Sequence, residues 1–324
     1  MRAFSRASLA VTAMLALGSM VTSTACTQVG VVKARRSLKQ ANQEYAQQNY
    51  KHAAELYEET LAENPNEVAA YFYLANSYDN QYKPSRRGDP ANDQLLEKAV
   101  QNYTLAAEKL NASDNPDNKK LGKLSLEYLV AAYGTDKLND PAKAEPVLLR
   151  MIQMEPNEPS NYAVLAKIYE DAGAYPEAEQ VLLKARDAKP NDPVVYSQLA
   201  GYYNRQGQFD KTIEAFEQRT KVEPNNPEGY FTIATYYWDE TRNDARLNEA
   251  QKREYIQKGL QNIDKALQLK ADYVDALVYK GLLLRLQAPL EKDPAKQQDL
   301  LKQASALSDK ANDLRKQKTA GATN

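Results

Sequence analysis

The chain has 324 residues but only one cysteine, one histidine and one tryptophan. A single cysteine, Cys26, excludes a disulfide within the chain. A single histidine, His52, leaves no second His for a metal site and no partner for a catalytic triad. HExxH, CxxC and GxxxxGK[ST] are all missing. Glycine is scarce, at 12 residues, which argues against a phosphate-cradling loop and against a turn-rich β fold. The net charge is −1, so no excess of Lys and Arg is available to displace counterions from a nucleic acid. The carboxylates are scattered as on a solvated helical surface, and no pair stands out in an apolar setting for acid–base work. These absences favour a chain that is not an enzyme and needs no cofactor or metal.

What is abundant is tyrosine, at 22 residues, and repetition. Residues 188–203 read AKPNDPVVYSQLAGYY and residues 222–237 read VEPNNPEGYFTIATYY. Shifted by 34 positions, the two stretches share Pro, Asn, Pro, Tyr, an aliphatic, Ala and a closing Tyr-Tyr. Pro156, Pro190 and Pro224 keep the same 34-residue spacing. Within each stretch, Tyr, aliphatic, Ala and Tyr fall three, one and three residues apart, which lines one face of a helix. The Pro ends one helix, and Asn-Asp-Pro or Asn-Asn-Pro caps the next.

A 34-residue period with these residues resembles the tetratricopeptide repeat. Tyr162, Leu165, Ala166, Tyr169, Gly173, Tyr175, Ala178, Leu182, Ala185 and Pro190 occupy its signature places, and Tyr196, Leu199, Ala200, Tyr203, Gly207, Phe209, Phe216 and Pro224 repeat most of them. The resemblance implies an all-α, right-handed α-solenoid of about seven helix-turn-helix units over residues 34–318. The units run at about 34–67, 68–113, 123–158, 159–192, 193–226, 227–273 and 274–318, with 319–324 expected as a disordered tail. Extra residues fall within units two, six and seven, around 79–93, 239–251 and 287–297, and are expected to lengthen helices and turns. The stretch 113–122 is expected to be a linker.

The first residues have a different character. Arg2 and Arg6 precede an apolar run of about a dozen residues at 9–21, followed by small residues at 23–25. That is the pattern of a cleaved signal peptide, and the run is too short to span a bilayer well. Cys26 stands directly after the expected cut. The arrangement resembles a bacterial lipobox, although Ser23 stands where Leu is preferred. It implies cleavage after residue 25, lipidation of Cys26 and a short tether over 26–33. Thr27, in place of Asp, points to the periplasmic face of the outer membrane, or to the periplasm if Cys26 carries no lipid.

In the tetratricopeptide-repeat family the first helix of each unit lines a concave groove that takes a peptide or a partner helix. Carried over, its places give Phe72, Tyr73, Asn76 and Asp79, then Lys167, Glu170 and Asp171, then Gln198, Asn204 and Arg205. They continue with Phe231, Thr235, Trp238 and Asp239, and end with Tyr279 and Arg285. Trp238 is the first choice for an anchor, because Trp and Arg dominate binding hot spots. The carboxylate clamp of some co-chaperones in the family is missing, since Leu38, Leu124 and Tyr128 stand at three of its places. The expected function is therefore a non-enzymatic protein-interaction scaffold at an envelope membrane, with no nucleic-acid or small-molecule substrate. The alternatives are a soluble periplasmic chaperone or peptide binder, and a docking regulator of a cell-wall enzyme.

Overall fold

A computed structural model describes residues 30–321, which are helical apart from short connections. The chain forms two compact units, the first ending at Glu155 and the second beginning at Pro156.

The first unit holds three antiparallel helix pairs: α1 (30–46) with α2 (Tyr50–Glu63), α3 (Val68–Gln81) with α4 (Pro90–Asn111), and α5 (Pro116–Tyr133) with α6 (Pro141–Met154). The second holds four: α7 (Pro159–Asp171) with α8 (Tyr175–Ala188), α9 (Pro193–Arg205) with α10 (Phe209–Val222), α11 (Pro227–Asn243) with α12 (Glu249–Leu269), and α13 (Val274–Gln287) with α14 (Pro294–Gly321). The fold is thus the all-α repeat architecture that the 34-residue period implies.

The helix starts are written in the sequence. Asp89, Asn115, Asp140, Glu158, Asp192 and Asn226 each accept a hydrogen bond from a backbone N–H of the following turn, and each is followed by Pro at the first helical position. That Pro has no N–H to leave unsatisfied, and its φ is already helical. Several of the turns between paired helices use a left-handed residue. Gly173 and Gly207 supply it at φ 75° and 66°, and Gln48 and Asn139 adopt it at 63° and 52° at the corresponding turns of α1–α2 and α5–α6.

The repeated Pro and Tyr are physically coupled. The hydroxyls of Tyr162, Tyr196 and Tyr230 donate to the carbonyls of Pro156, Pro190 and Pro224 at 2.9, 2.8 and 3.2 Å. Each bond ties the chain entering a helix to that helix's first turns and satisfies a carbonyl that the helix itself cannot use. The core is a row of small and aliphatic residues between helices, including Ala53, Ala75, Leu96, Ala99, Leu126, Leu165, Ala200, Ile233, Ile263 and Leu283. α14 buries Ala304 and Ala311 and leaves its other side exposed.

Three expectations are corrected. Residues 113–122 are mostly helix, because Asn115 caps and Pro116 opens α5; the polar run DNKK conceals a helix start. Within it, Gly122 is buried so close to α4 that a Cβ there would lie 2.9 Å from the backbone nitrogen of Asn111. The tether and tail are shorter than drawn: residues 30–33 already belong to α1, and α14 continues through 319–321. The expected signal peptide, Cys26 and residues 322–324 lie outside the described residues. The extra residues of units two, six and seven are taken up largely as helix: α4 has 22 residues, α12 has 21 and α14 has 28, against 14 in α2, α8 and α10.

Candidate functional site

First helices of neighbouring repeats touch one another, α3 with α5, α7 with α9 and α11 with α13. The carried-over residues lie on these helices, and the structure sorts them into three groups.

In the first unit they are drawn into the core. Phe72 and Asn76 are only 6% and 5% exposed, so neither offers a free surface to a partner, contrary to expectation. The reason is the tyrosine content around them. Phe72 packs against Tyr73, Tyr103 and Tyr128, and Tyr103 stacks on Tyr128 at 5.2 Å. Asn76 accepts from the Tyr45 hydroxyl at 2.7 Å and donates to the Tyr103 oxygen at 3.1 Å. Tyr103 donates on to Asp79 at 3.5 Å, and Asp79 pairs with Lys137 at 2.5 Å. Burial, and then neighbouring tyrosines, push the Tyr45 hydroxyl up to about 12. Burial, and then the Asp79 charge, push Tyr103 further up. Both therefore remain protonated donors. Tyr73 is half-buried and meets the ring of Tyr45 at 5.2 Å.

In α7 and α9 the residues neutralise each other. Arg205 reaches back one repeat and grips Glu170 through two parallel bonds of 2.8 Å. Those bonds hold the Glu170 carboxyl below its usual range and raise the Arg205 guanidinium. Lys167 pairs with Asp171 at 2.5 Å. Gln198 donates to the Pro159 carbonyl at 3.4 Å, while its own buried Oε1 has no hydrogen-bond partner among the described residues. Asn204 is exposed.

In α11 and α13 they assemble. Trp238 meets Tyr279 edge to face at 5.3 Å, and Tyr279 meets Phe231 the same way at 5.3 Å. Phe231 continues the row to Tyr273 at 5.0 Å. All four rings are partly exposed. The Arg242 guanidinium lies 5.2 Å from the centre of the Trp238 ring. Thr235 bonds within its own helix, to the Thr232 carbonyl. Asp239 accepts from Asn243, and Arg285 is exposed two turns beyond Tyr279. The result is an apolar strip across two repeats with cations at its end, a surface that can bury an aliphatic or aromatic side chain of a partner.

Sequence reasoning missed Tyr45, Tyr128, Arg242 and Tyr273. Tyr45 could have been found, because it holds the same place in α1 as Trp238 in α11, four residues beyond the small residue of the repeat. Arg242 lies one helical turn after Trp238, in the extended part of α11, where the repeat pattern assigns no place. Of the groups that could do chemistry, His52 pairs with Glu55 at 3.2 Å on an exposed surface. Among the described residues no group of three His, Cys, Asp or Glu converges on one point, and no helix is long and apolar enough to cross a membrane.

Two tetratricopeptide-repeat profiles match the chain, over residues 38–113 and 137–202. No curated protein sequence matches it. Among solved structures, it is similar to the C-terminal part of a TPR repeat-containing protein from Cytophaga hutchinsonii, with 18% identity, 86% of this chain and 98% of that one covered, and a TM-score of 0.53. It is less similar to MamA from Desulfovibrio magneticus RS-1, with 16% identity, 60% and 96% covered, and a TM-score of 0.39. It also matches YrrB, described as a TPR protein with an unusual peptide-binding site, with 15% identity, 58% and 85% covered, and a TM-score of 0.36. With its periodic sequence, its helix pairs and the two profile matches in agreement, the chain is a tetratricopeptide-repeat protein.

Proposed function

We infer that the chain is a non-catalytic docking scaffold of a bacterial envelope, held at a membrane through lipid on Cys26, that binds a partner protein along the first helices of its repeats. The observation that carries the docking site is the Trp238–Tyr279–Phe231 strip. Large rings left partly exposed to water are costly, and covering the exposed part yields roughly 25 cal/mol per Å2. Trp and Tyr are also rigid, so little side-chain entropy is lost when a partner arrives. Arg242 over the Trp238 ring adds a charged donor beside the apolar contact.

The membrane part of the reading rests on the N-terminal sequence: the basic start, the short apolar run and a lone cysteine placed directly after small residues. Several acyl chains, or one with a second attachment, are needed for a stable anchor.

The test is to extract wild type and a Trp238→Ala/Tyr279→Ala variant from the membrane fraction in mild detergent. Each would be sized and its co-purifying proteins quantified. The scaffold reading expects one stable complex that the variant loses while retaining its helix content. A protein found only in the soluble periplasm, binding many unrelated peptides weakly, would replace it with the chaperone alternative.

A further inference from the structure

From residue 1 to residue 43 the sequence contains no Asp or Glu, yet Lys33, Arg35, Arg36 and Lys39 lie within seven residues of one another. The structure places all four on α1, which has no helix preceding it among the described residues. Gly30, Ala34 and Ala41 face inward and are buried. Val32, Arg35, Arg36 and Lys39 lie exposed on the other side. Val32, at 67%, is the most exposed large apolar residue described.

The neighbouring acids only partly answer this charge. Glu63 of α2 pairs with Lys33 at 3.5 Å, and Glu59 accepts from Ser37 at 3.4 Å. Both carboxylates line a cleft of about 390 Å3 that also includes Lys33 and Arg36. Arg35, Arg36 and Lys39 form no ion pair with any described residue. Arg35 and Lys39 are four apart, and Arg36 and Lys39 three apart, so like charges face each other along the helix, which is unfavourable in water. An exposed valine beside them is unfavourable too. An anionic bilayer surface relieves both at once: headgroup phosphates take the cations, and the acyl boundary takes the valine.

Geometry brings that surface within reach. Cys26 precedes Gly30 by four residues, a span of at most roughly 14 Å when fully extended. With a helix rise of about 1.5 Å per residue, a lipid on Cys26 would keep Arg35 to Lys39 within roughly 22–28 Å of the headgroups, two to three Debye lengths at most. We propose that the outward face of α1, formed by Val32, Arg35, Arg36 and Lys39, is a second membrane contact that docks on anionic phospholipid and orients the repeats relative to the bilayer. The proposal rests on the lipid-anchor reading above. Without a tether at Cys26, the same four residues would have to find the membrane by charge alone.

The test uses the full chain, processed in cells, purified in detergent and placed in vesicles of phosphatidylcholine with or without phosphatidylglycerol. A Val32→Cys substitution carries an environment-sensitive dye. The intact mass of the same sample reports whether Cys26 bears acyl chains, so failure of the anchor and failure of the contact are read separately. The expected result is a blue shift of the dye in anionic vesicles only. It should be lost in a variant with Arg35, Arg36 and Lys39 all changed to Gln, and lost at high salt. A Lys302→Gln variant, on exposed α14, should keep the full shift, and an unchanged thermal transition would show that the triple variant is folded. An acylated protein whose dye responds equally to neutral and anionic vesicles would overturn the proposal. So would a dye that ignores both vesicles but shifts with an acidic polypeptide, which would assign the patch to a protein partner.

Discussion

The ring of Trp238 on α11 meets the ring of Tyr279 on α13 edge to face, with 5.3 Å between centroids. The pair joins the first helices of two successive repeats. Aromatic pairs of this geometry contribute about 0.5–1.5 kcal/mol beyond the area they bury. A double-mutant cycle with Trp238→Leu and Tyr279→Leu, measured by urea unfolding, should give a coupling energy in that range. A coupling near zero would show that the rings touch without stabilising the junction, and would leave partner binding as the chief reason for their presence.

Glu170 and Arg205 join another pair of repeats. The Arg205 hydrogen bonds hold the folded Glu170 carboxyl below its ordinary range. A depressed carboxyl stabilises the fold above its unfolded pKa and ceases to do so as the pH falls through its folded pKa. Arg205→Gln should therefore lower the stability at neutral pH by about 1 kcal/mol, a figure kept small because the Arg205 side chain is half-exposed. The deficit should shrink as the pH falls through the depressed pKa of the folded Glu170, where the wild type loses its carboxylate too. Thermal melts of both proteins from neutral to acid pH check the sign. A deficit that grows toward acid would contradict it.

Asn76 is the hub of the tyrosine cluster in the first unit. Asn76→Ala removes the acceptor of Tyr45 and the donor to Tyr103. Leaving such groups unpaired in a buried site costs about 1–3 kcal/mol. The variant should unfold at correspondingly lower urea with an unchanged slope. A cost below about 0.5 kcal/mol would mean that water reaches the hydroxyls and replaces the asparagine.

Gly122→Ala is expected to destabilise, the reverse of the usual gain of roughly 0.5–1 kcal/mol for such a change within a helix. The added carbon would lie 2.6 Å from the Asn111 side-chain oxygen and 2.9 Å from its backbone nitrogen. Forcing α5 away from α4 should cost about 1–3 kcal/mol, read from the melting temperature.

The sequence shows the repeats because their physics is local. The bond from Tyr196 to the Pro190 carbonyl spans six residues, and the Pro that ends one helix and the Asn or Asp that caps the next lie within a few more. The same contact returns 34 residues away on either side, at Tyr162 and at Tyr230. The site was legible only in part. Trp238, Tyr279 and Phe231 were expected and are found together, since each holds a face of a helix that the repeat pattern defines. Phe72 and Asn76 hold such faces too, but side chains from three other helices fill the space in front of them. The pairing of Asp79 with Lys137 crosses 58 residues, and no periodicity announces it. The start of α5 was hidden for the opposite reason: its first turn is polar throughout, and the apolar spacing begins only at Leu121.

The strip around Trp238 is proposed as the docking surface. In-cell photocrosslinking tests it directly, with one probe replacing Trp238, a second replacing the exposed Asn204 on α9, and a control replacing the exposed Lys302 on α14. One envelope protein captured in high yield from Trp238, more weakly from Asn204 and not from Lys302, is the predicted result. Equal capture from all three positions, or a mixture of unrelated proteins from Trp238, would contradict the claim.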